Sequence, residues 1–182
     1  MKKNFVLAAF LSLFVLATVA SAQKAPANFS GTWNLDLAKS KLTDREKASI
    51  ESQTLTVTQS ATDIKLDTAT KRLAPPTPPA GAPPGGGGGR PGGGGAGGPV
   101  TYPIGKETIS DQQMGQNTVP VTLGGKWDGS KLVLTRSSSF NGNSNANKQT
   151  FDLGTDGKSL TVTVESTGMQ GTTTSTRVYS KG

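Results

Sequence analysis

Phe29-Ser30-Gly31-Thr32-Trp33-Asn34-Leu35-Asp36-Leu37 carries an apolar residue at every second position from Trp33, with polar residues between them. Side chains of an extended strand alternate between its two faces. The spacing therefore predicts a strand with Trp33, Leu35 and Leu37 on one side and Asn34 and Asp36 on the other. The same period recurs downstream. Leu55 and Val57 alternate with Thr54, Thr56 and Thr58, and Ile64 and Leu66 with Asp63, Lys65 and Asp67. Val119, Val121 and Leu123 lead through Gly124 and Gly125 to Trp127, while Leu160, Val162 and Val164 alternate with Thr161, Thr163 and Glu165.

Turn chemistry separates these runs. Asp128-Gly129 and Asp156-Gly157 are hairpin signals, because tight antiparallel turns favour residues that accept positive φ. Short strands are expected near residues 101–104 and 107–109, longer ones over 131–140 and 149–153, and a last one over 172–180 after the turn Gly168-Met169-Gln170-Gly171. Eight to ten antiparallel strands joined by short turns predict an all-β fold, a single up-and-down barrel. One helical signal interrupts the pattern. Thr43-Asp44-Arg45-Glu46 has capping-box spacing, so a short helix or structured loop is expected there, near one barrel end.

Residues 1–22 read as a leader. Met1-Lys2-Lys3 is a basic start, Phe5 to Val19 is mostly apolar, and Ala20-Ser21-Ala22 is a small-x-small cleavage site. The expectation is a cleavable signal peptide and a periplasmic or secreted protein, with residues 23–182 as its one domain. The chain has no cysteine, so neither a disulfide nor a lipid anchor on cysteine is expected after cleavage. No stable membrane anchor then remains.

Residues 74–99 form a low-complexity stretch in which 12 of 26 residues are Gly and 8 are Pro. Such a composition cannot bury enough apolar surface to offset its ordering entropy, so a disordered loop inserted into the barrel is expected. Closing it in place of a tight turn costs only about 1–2 kcal/mol. The 51 residues of 23–73, with room for three strands and one Trp, are too thin an apolar unit to stand alone.

The formal charge of +7 becomes +5 without Lys2 and Lys3. The remaining charges are scattered, with no basic run interleaved with aromatics, which argues against nucleic acid as a partner. A solvated basic surface is the plain reading, and weak contact with anionic envelope polymers the sharper one. Apolar supply is thin: Leu, Ile, Val and Phe number 26 of the 160 residues after the leader. Such a barrel is either narrow and packed, or it holds something.

The Gly31-x-Trp33 opening, with Arg177 and Tyr179 in the closing run, resembles the lipocalin pattern. Asp36-Leu37-Ala38-Lys39-Ser40-Lys41, Lys126-Trp127-Asp128-Gly129-Ser130-Lys131-Leu132-Val133 and Asp156-Gly157-Lys158-Ser159-Leu160-Thr161-Val162 are similar to stretches of small exported lipocalin-like proteins of bacteria. The resemblance implies that the first and last strands meet, with Gly31, Trp33 and Arg177 closing the barrel and the guanidinium packed over the indole. A contact of that kind contributes about 0.5–2 kcal/mol.

Histidine and cysteine are both absent, which removes the usual nucleophilic triads and His/Cys metal sites. The carboxylates fall on polar strand faces or in turns, so no catalytic residue, no metal and no cofactor is expected. Two functional readings remain. In the first, a small apolar or amphipathic ligand is buried among the inward residues Leu35, Val57, Leu66, Val121, Trp127, Leu134 and Val162, with Met114 and Met169 as soft contacts at an opening. In the second, the interior is filled and the barrel is an envelope structural or interaction module.

Overall fold

A computed structural model describes residues 26–74, 98–114, 117–140 and 142–182. The expected leader and residues 75–97 of the Gly/Pro-rich stretch lie outside the described residues.

Ten strands and one helical turn follow one another: β1 (Gly31–Lys41), α1 (Asp44–Lys47), β2 (Ile50–Gln59), β3 (Asp63–Arg72), β4 (Val100–Pro103), β5 (Glu107–Met114), β6 (Asn117–Asp128), β7 (Lys131–Phe140), β8 (Asn143–Leu153), β9 (Ser159–Gly168) and β10 (Gly171–Lys181). They form one antiparallel sheet in the order β4-β3-β2-β1-β10-β9-β8-β7-β6-β5. The first and last strands therefore lie side by side at its centre, with Trp33 opposite Lys181 and Leu35 opposite Tyr179. The sheet edges are β4 and β5, which are neighbours in the chain. They approach through β6, where Ile104 bridges Gly125 in parallel and the Gly105 N–H donates to the Gly125 carbonyl at 2.7 Å. The result is an up-and-down, nearly closed barrel, as the two-residue period predicts.

The antiparallel order sorts the turns into two ends. The closed end holds the β2–β3 and β6–β7 turns and the segment before β1. Phe29 enters the barrel there and is fully buried, its ring 5.9 Å from Trp127 in a stacked arrangement and 5.8 Å from Phe151 edge-on. Gln59 holds this segment in place: its side chain accepts from the Phe29 N–H and donates to the Ala27 carbonyl. Trp33 is fully buried and donates Nε1–H to the Phe29 carbonyl at 2.8 Å, so its one polar group is satisfied.

The opposite end carries α1 and the β5–β6, β7–β8 and β9–β10 hairpins. Helix α1 forms where the capping box predicts it, with Thr43 and Glu46 bonding each other's backbone N–H reciprocally.

Two local expectations change. Leu37 is 42% exposed rather than inward. The register between β1 and β10 shifts after Asp36, whose carboxylate accepts from the N–H groups of Ala38 and Lys39 and turns the chain out of phase. The cation over Trp33 is Lys181, at 5.4 Å from the ring, and not Arg177. Lys181 is the direct cross-strand partner of Trp33, whereas Arg177 lies four residues along, roughly 13 Å at strand rise. Gly31 fits this corner twice over: its φ is +138°, and a Cβ there would meet Lys181 Cε at 3.2 Å.

Candidate functional site: the open end of the barrel

The inward residues divide by height. Towards the closed end they are apolar. Val57, Leu66, Val121, Leu134 and Val162 belong to one buried cluster with Phe29, Trp33 and Phe151, and Leu35 and Trp127 pack against it. The residues expected to line a cavity thus pack on one another, with Val121, opposite Ser138, carrying that packing up β6 toward the open end. On β2, β7 and β8 the inward faces turn polar above it. The run of inward positions passes from Leu134 to Arg136 and Ser138 on β7, from Phe151 to Gln149 and Asn147 on β8, and from Val57 to Gln53 on β2. Asn147 donates to Ser166 at 2.9 Å and accepts from Gln149 at 3.0 Å, tying the band across β8 and β9.

Two arginines sit in this polar band, and they are treated differently. Arg177 bonds Glu46 of α1 at 2.6 Å, both side chains being less than one quarter exposed. Ser175 also reaches Glu46, at 3.3 Å. Burial works to raise the Glu46 carboxyl, but the bonds from Arg177 and Thr43 outweigh it and hold its pKa below the usual glutamate value. Arg177 Nε is buried with no hydrogen-bond partner. Beside this pair, Tyr179 donates to Gln53 at 2.8 Å and Gln53 donates on to Thr70 at 2.8 Å. Burial raises the Tyr179 phenol pKa, so that hydroxyl stays a donor. The bonds of Arg177 and Ser175 to Glu46 pin α1 to β10, and the Tyr179–Gln53–Thr70 chain ties β10, β2 and β3 together across the interior.

Arg136 has a neutral partner instead. Its Nη2 donates to Gln112 Oε1 of β5 at 2.6 Å. No carboxylate lies within ion-pair distance of it among the described residues. Tyr102 of β4, nearly fully buried, lies close enough to feel its charge: burial raises the phenol pKa and Arg136 partly offsets that.

At this end of the barrel the wall opens. A cleft of about 280 Å3 is lined by Asn117, Val119, Ser138, Phe140, Asn143, Asn145 and Met169. Its rim carries two apolar side chains, Phe140 42% and Met169 79% exposed at the tips of the β7–β8 and β9–β10 hairpins, among the exposed asparagines Asn117, Asn143 and Asn145. Met169 stands at the opening, as its loop position suggests. Val119 is the cross-strand partner of Gln112, and Ser138 lies two residues beyond Arg136 on the same face. A second depression, about 360 Å3, lies over β7, β8 and β9 and is lined by Arg136 and Asn147 together with outward residues of these strands, with the Lys148–Glu165 ion pair across it. Its apolar lining is a single alanine among Ser, Thr and charged side chains, so the cleft at the open end is the better candidate.

Arg136, Gln112, Glu46, Phe140 and Phe29 were not marked by the sequence as site or plug residues. A period-two reading of 131–140 does place Arg136 on the inward face with Leu132 and Leu134. An arginine in phase with a core stripe is the available signal. Among the described residues there is no cluster of three or more His, Cys, Asp or Glu side chains able to hold a metal ion.

No family model and no curated protein matches the chain. Among solved structures, it is similar to a secretory abundant heat soluble (SAHS) protein from Ramazzottius varieornatus, at 10% identity and a TM-score of 0.52, over 85% of this chain and 95% of that one. It also matches zebrafish ileal bile acid-binding protein complexed with cholic acid, at 16% identity and a TM-score of 0.47, over 85% of this chain and 98% of that one. The first likeness shows a shared barrel fold.

Proposed function

We propose that the protein is exported and binds a small amphipathic molecule at the open end of its barrel, without catalysing a reaction. The observation that carries this reading is the cleft itself, in which exposed Phe140 and Met169 stand beside the polar side chains of Asn117, Ser138, Asn143 and Asn145. Such an arrangement suits a ligand with one wet and one dry end. Export rests on the basic, apolar and small-residue segments of positions 1–22.

The packed lower half favours a second reading, a barrel used through its surface alone. One measurement separates them. Protein purified from its host and sprayed under native conditions should carry a bound mass that organic solvent strips. An environment-sensitive apolar dye should then bind the stripped protein and be displaced by the extract. Neither bound mass nor displaceable dye would leave the surface-only module. Tryptophan emission is a poor reporter here, because Trp33 and Trp127 both sit at the closed end.

A further inference from the structure

We infer that the open-end cleft selects an uncharged, hydroxyl-bearing head group, of the kind a sugar or polyol supplies, held between Phe140 and the asparagines of β8. This rests on the reading that the cleft binds an amphipathic molecule, and it adds the chemical class of the head and the residues that recognise it.

Of the seven residues that line the cleft, none is ionisable. A charged head would leave water there without a countercharge to meet it, so the lining favours a neutral one. Three of the seven are asparagines and one is a serine. A carboxamide offers two N–H donors and a carbonyl acceptor, and a hydroxyl both donates and accepts, so one amide can bond two neighbouring hydroxyls at once. The hydrogen bonds of this end of the barrel pass these groups by. Ser144 bonds Ser139, and Asn147 bonds Ser166 and Gln149, whereas Asn117, Ser138, Asn143 and Asn145 have no side-chain partner among the described residues.

Register brings the free groups together. Asn145 lies opposite Ser138, and Asn143 opposite Phe140, on the inward face of the β7–β8 hairpin. The Asn145 amide oxygen also rests against the backbone of the β9–β10 turn, where a Cβ on Gly168 would come within 3.1 Å of it. Phe140 supplies the apolar half of the contact. A sugar ring carries C–H groups on its faces and hydroxyls around its edge. It can therefore stack on the exposed phenyl ring, whose face is electron-rich, while its edge meets the amides alongside. The volume, about 280 Å3, is below what encloses a whole drug-sized ligand, and suits a head with the first few methylenes of a tail. Leu134 and Phe151 are fully buried in the packed half, so the rest of the tail runs outward past Met169.

The test titrates the full exported chain calorimetrically, below micelle-forming concentrations, with octyl glucoside, octanol, octanoate and glucose. Wild type should bind octyl glucoside roughly tenfold tighter than octanol, which is what one or two neutral hydrogen bonds supply. Salt should leave that ratio unchanged, because no charge takes part. Octanoate should bind no tighter than octanol. Asn143→Leu combined with Asn145→Leu keeps side-chain size and removes both amides. It should erase the glucoside preference while leaving the thermal midpoint near wild type and octanol affinity equal or higher. Gly168→Ala crowds the Asn145 amide without removing any group from the cleft, and should weaken octyl glucoside more than octanol.

Equal affinity for octyl glucoside and octanol in wild type, or a glucoside preference that survives in the double variant, would overturn the hydroxyl site while leaving the amphiphile reading intact. Octanoate as the tightest probe would do the same. If none of the three tailed probes binds, that broader reading falls and this one with it. Glucose bound as tightly as octyl glucoside, and lost in the double variant, would uphold the hydroxyl site and overturn its use for an amphiphile.

Discussion

Glu46 and Arg177 offer a stability experiment whose outcome depends on which partner is removed. Glu46→Ala deletes the bond to Arg177 at 2.6 Å and the bond from the Thr43 N–H at 2.8 Å. It leaves a buried guanidinium whose Nε already lacks a partner. The stranded charge costs about 2–3 kcal/mol and the broken capping box about 1 kcal/mol, or about 3–4 kcal/mol together. Arg177→Met removes the orphaned Nε with the charge, keeps an apolar stem in place, and leaves Glu46 still bonded to Thr43 and Ser175. Its expected cost is about 1–2 kcal/mol. In the double variant the charge stranded by the first change is gone, so the total should fall short of the sum by about 1–2 kcal/mol. Urea unfolding at constant m-value measures all three. The reasoning fails if Arg177→Met costs as much as Glu46→Ala, or if the two effects simply add. Either result would mean that Glu46 is not what compensates the buried cation.

Acid should weaken the same contact. The folded Glu46 carboxyl titrates below its ordinary value, so the unfolded chain takes up the proton first. Its contribution is therefore complete above the ordinary glutamate pKa and is lost as pH falls from there through the folded value. Glu46→Gln should lose less stability than wild type between neutral pH and about pH 3, read from urea midpoints. Gly125→Ala should open the seam beside β4, because a Cβ would lie 2.9 Å from the Pro103 carbonyl oxygen and 3.0 Å from Leu134 Cδ2. A cost of about 1–3 kcal/mol is expected, with faster amide exchange at Gly105; exchange unchanged at Gly105 would refute it. Phe29→Ala should cost about 3–5 kcal/mol by opening a cavity between Trp127 and Phe151, and a red shift in tryptophan emission reports it. Lys181→Met should change stability by no more than about 1 kcal/mol, since one face-on cation near the chain end is all that is lost.

The architecture was legible because strands with one buried face must alternate. Trp33 and Leu35, Leu55 and Val57, Ile64 and Leu66, and Leu160 and Val162 all lie inward, or partly so, at the positions their period assigns. The hairpin dipeptides were equally direct: Gly129 and Gly157 adopt φ of +61° and +64°, where other residues are strained. The capping box declared α1 for the same reason, that its hydrogen bonds are local. The open-end site was much less legible. Its polar band joins Gln53, Arg136, Asn147 and Arg177 from four strands, and no local pattern says that these side chains share one interior.

Chain order and the two-residue period determined that this protein is an all-β meander, because each is a property of neighbours along the backbone. Which cation covers Trp33 and which carboxylate meets Arg177 were decided only when β1 paired with β10 in one register, bulge included, and that Arg136 meets Gln112 only when β5, β6 and β7 paired. Register is fixed by contacts far apart in sequence, and a shift of a few residues exchanges one charged neighbour for another without disturbing the alternation that produced the fold.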